Sequence, residues 1–188
     1  MTTQGDNHNL IDVIIADHRA VEQVFTELES GAGTPEHRRD LADHVIAELV
    51  RHSVAEEQYM YPAAREALPD GDQIADHELE EHAAAERLMK DVEGLEPTDP
   101  QFDMKLRELM ADVRHHIEEE EQHLLPMLRT ACTPEQLDDL GAKVVQAKKM
   151  APTRPHPAGP DKPPANKILG PGVGLIDKIR DALTGRKH

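Results

Sequence analysis

"HSVAEEQYMYP" at residues 52–62 and "HIEEEEQHLLP" at residues 116–126 decide how this chain is read. Each begins with His and places Glu at +4, Gln at +6 and Pro at +10, and the copies lie 64 residues apart. On an α-helix, side chains four apart are neighbours on one face, so His52 projects with Glu56 and His116 with Glu120. The preceding apolar residues say which face this is. Val45, Leu49 and His52 fall at 0, +4 and +7, and Leu109, Val113 and His116 repeat that spacing, so both histidines continue a buried stripe.

The same offset aligns His18 with His82, Pro62 with Pro126 and Asp17 with Glu81, which reads as two copies of a helical hairpin. His18 follows Leu10 and Ile14 at four-residue steps and so points inward as well. Six polar side chains, His18, His52, Glu56, His82, His116 and Glu120, are therefore expected to meet inside the molecule. Left unpaired, each would cost roughly a few kcal/mol to bury. Metal ions remove that cost: imidazole and carboxylate suit iron, manganese or zinc, and carboxylates from opposite hairpins can bridge two ions. One turn beyond the motif histidines, Tyr59 and His123 occupy the same +7 position and are further candidates. Tyr61, beside Pro62, is read as a packing residue.

Working outward, residues 9–30 carry apolar side chains at helical spacing (Leu10, Ile14, Val21, Val24, Phe25, Leu28), ended by Gly31. Thr34-Pro35 starts a second helix, which Pro62 should break or kink. Asp72 is a candidate cap for a third through Leu79, Leu88 and Val92, and a fourth runs from about Pro100 to Leu128. Thr133-Pro134 begins a shorter fifth. The prediction is an all-α chain: an up-down-up-down four-helix bundle plus a short fifth helix and a Pro-rich C-terminal tail. The domain division is 1–150 for the bundle and 151–188 for the tail, where half of the 14 prolines cluster and Leu175, Ile176, Ile179 and Leu183 mark a short amphipathic helix.

Composition supports the bundle and limits the function. With no Trp, two Tyr and two Phe in 188 residues, a core must be built of Leu, Ile, Val, Ala and Met, which favours helices. Up to Met150 there are 14 Lys and Arg against 34 Asp and Glu, whereas the tail has 7 against 3. A body this acidic repels phosphate backbones, so no nucleic-acid partner is expected. The single cysteine, Cys132, allows neither an internal disulfide nor a thiolate cage. No apolar run is long enough to span a membrane and the polar start is no signal peptide, so the expected location is the cytoplasm.

The ordered set of His18, His52/Glu56, His82 and His116/Glu120 resembles the hemerythrin-like, or HHE cation-binding, family over about residues 8 to 130. The resemblance implies a non-haem centre of two iron ions, bridged by an oxygen atom and two carboxylates, that binds dioxygen or a related small molecule. Two departures separate this chain from the oxygen-carrying members. They carry a His-x-x-x-His pair on the third helix, where this chain has Glu78 four before His82, with His77 one residue earlier; and their fourth-helix carboxylate is at +5, where this chain offers Glu120 at +4 and Glu121 at +5. Glu78 and His77 join the further candidates for this reason. The expected function is binding of O2, NO or peroxide at the diiron centre, with peroxide-decomposing (catalase-like) or NO-handling activity. The alternative is an iron- or oxygen-responsive sensor that signals to a protein partner through the tail.

Overall fold

Asn9 opens the first helix by accepting the backbone N–H of Ile11 on its side chain, 3.1 Å away. The computed structural model describes residues 9–157. Helix α1 (Leu10–Glu29) closes at Ser30, and Gly31 follows in the left-handed conformation (φ +67°) that glycine adopts without penalty. Thr34 caps α2 (Pro35–Ala55) by accepting the N–H of His37, with Pro35 in the first turn where its missing N–H costs nothing. The chain continues through a π turn (Glu56–Met60) into α3 (Tyr61–Ala67). Helix α4 (Gly71–Glu93) leads to α5 (Pro100–Glu119), and a second π turn (Glu120–Leu124) leads to α6 (Leu125–Ala131). A reciprocal capping box of Thr133 and Gln136 starts α7 (Pro134–Met150). These elements make the four-helix bundle and fifth helix expected from the sequence, with no strand among the described residues.

One local expectation is refined and one corrected. Pro62 marks a break in the α-helix, as expected, but the chain stays helical: α2 stops at Ala55, and α-helix resumes at Tyr61 and runs on to Ala67. Proline lacks the N–H for the carbonyl four residues back, and its ring would strike that carbonyl. The wider π turn just before it takes up the misfit, with Tyr61 N–H bonding to Glu56 O, and Pro126 repeats the device with Leu125 N–H and Glu120 O. The N-cap of α4 is Asp70, whose side chain makes no capping bond, and Asp72 lies inside the first turn.

Two apolar clusters fill the bundle. One gathers Leu10, Ile14, Met60, Tyr61, Leu124, Leu128 and, from α7, Leu137 and Val144; the other gathers Phe25, Val45, Leu49, Phe102, Leu106 and Val113. Between them lies a layer of buried His and Glu, which every rod of the bundle enters. No helix among the described residues is long and apolar enough to cross a membrane.

The tail does not leave the bundle at once. Ala151 and Thr153 are buried, Arg154 Nη1 lies 3.6 Å from Glu93 Oε1, and the His156 N–H donates to Glu86 Oε1 at 2.6 Å, so the first residues after α7 lie on α4. The remainder, including the amphipathic segment expected at Leu175–Leu183, is outside the described residues.

One tight approach sets the turn from α3 to α4. A Cβ on Gly71 would stand 2.1 Å from the Ala64 carbonyl oxygen and 2.7 Å from Arg65 Cα, both backbone atoms. Gly71→Ala is therefore expected to cost about 1–3 kcal/mol, read as a lower urea midpoint at unchanged m. An unmoved midpoint would show that the turn yields freely.

Candidate metal centre

His18 comes from α1, His52 and Glu56 from the end of α2, His82 from the middle of α4, and His116 and Glu120 from the end of α5. All six are at most 8 % exposed, and Glu56 and Glu120 are fully enclosed. Each glutamate faces histidines of both halves. Glu56 Oε1 lies 3.0 Å from His52 Nε2 and its Oε2 3.4 Å from His82 Nε2; Glu120 Oε2 lies 3.3 Å from His18 Nε2 and its Oε1 3.7 Å from His116 Nε2. Donor atoms of His18, His52, Glu56 and Glu120 lie within 4.8 Å of one another, as do those of Glu56, His82 and His116.

The far nitrogens explain how the rings are aimed. Every Nδ1 is held by a carboxylate: His52 by Asp17 (3.2 Å), His116 by Glu81 (2.8 Å), His18 by Glu121 (2.9 Å) and His82 by Glu57 (3.0 Å). A carboxylate behind each imidazole turns its Nε2 inward and raises its basicity, as in metal-binding histidines generally. These four acids obey the 64-residue repeat. Asp17 matches Glu81, each serving a histidine of its own hairpin; Glu57 matches Glu121, each crossing to the other hairpin. The repeat thus carried a signal for them that the +4 spacing alone did not reveal.

Close as they are, His18 Nε2, His52 Nε2, Glu56 Oε1, Glu78 Oε2 and Glu120 Oε2 are buried and make no hydrogen bond. Buried polar atoms are nearly always paired, because an unpaired one costs on the order of 1–3 kcal/mol. Nitrogen and oxygen lone pairs converging without hydrogen bonds are the arrangement that a cation satisfies. The donor set therefore fits metal ions held by nitrogen and oxygen.

Charge in this layer is strongly coupled. Burial disfavours protonated His52, but the Glu56 carboxylate and the Asp17 hydrogen bond outweigh it and lift its pKa to about 10. Burial likewise opposes charge on His82, yet Glu56 and Glu57 raise it to about 9. Burial alone would push Glu56 up; the neighbouring His52 charge, with that of His82, holds it well below 4.5.

The two halves differ in two residues. The Tyr61 hydroxyl lies 2.9 Å from His82 Nε2, 3.1 Å from Glu120 Oε1 and 3.5 Å from Glu56 Oε2. Burial and then the Glu120 and Glu56 charges raise its pKa well above 10, keeping it a neutral phenol. Glu78 Oε2 lies 3.1 Å from His116 Nδ1, and Glu78, His116 and Glu120 also form a donor group. Burial, with the Glu120 charge, raises the Glu78 pKa despite the opposing pull of His116 beside it. The repeat counterparts of Tyr61 and Glu78 are Leu125 and Ile14, so only the His82/His116 half has these extra oxygens.

Among the further candidates, Glu78 is brought to the cluster and three are not. Tyr59 is half-buried against the Leu10 apolar cluster instead. Position +7 faces inward only on a regular α-helix; the π turn inserts an extra residue and rotates later side chains by roughly 100°, carrying Tyr59 away and bringing Tyr61 in. Its repeat mate His123, within the second π turn, is exposed for the same reason. His77, five before His82, lies on the outer face of α4, 3.0 Å from Glu119.

Comparison with known proteins agrees with this geometry. Residues 9–128 match the model of the hemerythrin HHE cation binding domain. The chain is 31 % identical over 173 residues to an uncharacterized hemerythrin-like protein of Schizosaccharomyces pombe, covering 92 % of this chain and 85 % of that one. It is also 29 % identical over 149 residues to a protein of Nostoc described as a DNA nickase, covering 78 % of this chain and 42 % of that one. No solved structure matches significantly. A domain match across the four-helix core, together with a relative aligned over nearly the whole chain, places the protein in the hemerythrin HHE cation-binding family.

Proposed function

We propose that His18, His52, Glu56, His82, His116 and Glu120 hold two iron ions at a carboxylate-bridged centre, and that the chain binds O2, NO or peroxide there, with peroxide decomposition or NO handling as its activity. The observation that supports this most directly is the set of buried, unbonded His and Glu atoms facing one another while every Nδ1 is anchored from behind. Bound iron would supply a redox-active Lewis acid able to take a small ligand. The residues do the rest: Glu56 and Glu120 neutralise charge and span both positions, the Nδ1 carboxylates fix the rings, and the two apolar clusters exclude water. Tyr61 and Glu78 enrich the His82/His116 half in oxygen, so an ion held at His18 and His52 would have fewer protein donors and would be the better placed to take a small ligand. The Tyr61 hydroxyl is placed to donate a hydrogen bond across the centre.

The sensor reading, in which the tail carries a signal to a partner protein, has one observation in its favour. The tail begins on α4, the helix that carries Glu78 and His82, through contacts to Glu86 and Glu93. Nicking of DNA is not carried over from the Nostoc relative, because 34 acidic against 14 basic residues up to Met150 oppose a phosphate backbone. A cytoplasmic location belongs to the same reading.

Metal analysis with optical spectroscopy tests the proposal. The aerobically purified chain is expected to hold about two iron ions and to show near-ultraviolet charge-transfer absorption of a coupled iron pair. A single zinc without such bands would sink the two-iron reading. Mixing the reduced protein with O2, NO and H2O2 separates the roles: a stable O2 adduct indicates carriage, gas evolution from peroxide a catalase-like activity, and no reaction favours sensing.

A further inference from the structure

The motif that builds the buried centre recurs on the surface. His77 and Glu81 are four apart on α4, and His115 and Glu119 are four apart on the adjoining α5. The seam between these helices brings both pairs together. His77 Nε2 lies 3.0 Å from Glu119 Oε2 and 3.7 Å from Glu81 Oε1; His115 Nε2 lies 3.6 Å from Glu119 Oε1 and 3.9 Å from Glu81 Oε1. Four nitrogen and oxygen ligands at about 2.1 Å around a tetrahedral ion stand roughly 3.4 Å apart. Donor atoms of His77, Glu81 and Glu119 lie within 4.8 Å of one another, and His115, 3.6 Å from Glu119 and 3.9 Å from Glu81, is the adjoining fourth donor. The imidazoles are 55 and 64 % exposed, so an ion from solution can reach them.

Three features join this cluster to the interior. Glu81 is shared: Oε1 faces the seam while Oε2 lies 2.8 Å from His116 Nδ1. Glu78 Oε2, buried and without a hydrogen bond, lies 3.1 Å from the same nitrogen and belongs to a donor group with Glu120, a carboxylate step between seam and centre. A cavity of about 260 Å³ has Glu81 and His115 in its wall together with His18, His52, His82 and His116.

We propose that His77, Glu81, His115 and Glu119 form a surface site for a divalent transition-metal ion and act as the entry station through which the buried centre is loaded. The site itself stands on its own residues; the entry role rests on the reading of the buried centre given above. Exposed imidazoles capture the ion, and the Glu81 and Glu78 carboxylates offer the next oxygens inward.

The test compares the metal-free full-length chain with its His77→Gln/His115→Gln variant, both titrated with Zn²⁺. The variant is expected to bind one ion fewer and to load its remaining sites more slowly, on the order of tenfold, while circular dichroism and thermal melting show the same fold. Equal stoichiometry overturns the surface site, and one ion fewer at an unchanged loading rate overturns the entry role. The buried residues are identical in the two chains, so an error about the buried centre alters both totals alike and leaves their difference intact.

Discussion

Glu120→Gln is expected to remove metal from both halves of the buried centre at once. One oxygen of Glu120 faces His18 and the other His116, so the carboxylate belongs to both positions. The amide keeps the shape and deletes the charge that would balance two cations in an enclosed site. Loss of a carboxylate behind a metal-binding histidine typically costs 10–100-fold in affinity, so loss of the shared one should exceed about a hundredfold. Equilibrium dialysis against a competing chelator measures this. Glu121→Gln is the graded control: among the six residues of the centre Glu121 touches only His18, at Nδ1, its other partner being Arg19 on the outside, and its loss should cost about 10–100-fold. Undiminished iron in Glu120→Gln would refute the shared role.

Stripping the metal is expected to have the largest effect on stability and to reverse its pH dependence. At a thousandfold excess over Kd each ion contributes about 4 kcal/mol, so two contribute about 8 kcal/mol. At 2–4 °C per kcal/mol that lowers Tm by roughly 15–30 °C. In the stripped chain, the raised pKa of His52, about 10 against an ordinary 6.5, gives a contribution that is full below 6.5 and lost as pH rises toward 10. Glu56, held well below 4.5, contributes above 4.5 and loses that contribution as pH falls through its depressed folded value. The stripped protein should therefore be most stable between these limits and weaken from pH 7 to 9. With metal bound the histidines are neutral in the folded state but protonate in the unfolded one below 6.5, so stability rises from pH 5 to 7. Parallel slopes in the two forms, measured by denaturant melts across pH, would contradict the arrangement.

The helix number, the helix starts at Thr34-Pro35 and Thr133-Pro134, and the inward face of His18, His52, His82 and His116 were legible because they depend on local propensity and the 3.6-residue period. Glu78 was visible only as a departure from the family pattern. The carboxylates behind the imidazoles were present in the 64-residue repeat as acid matched with acid, yet nothing local says that Asp17 and Glu81 serve their own hairpin while Glu57 and Glu121 cross to the other.

By itself, the sequence determined an all-α bundle with two pseudo-equivalent sets of inward His and Glu, since periodicity is a property of each helix alone. Only the tertiary structure decided that Tyr61, and not Tyr59, reaches the centre, that Glu78 joins one half, and that His77 faces outward to Glu119. The reason is geometric. A π turn changes helical phase by about one residue, and a proline's missing hydrogen bond can be met by a kink, a stop or that wider turn. The packing of four helices around a buried polar layer selects among them.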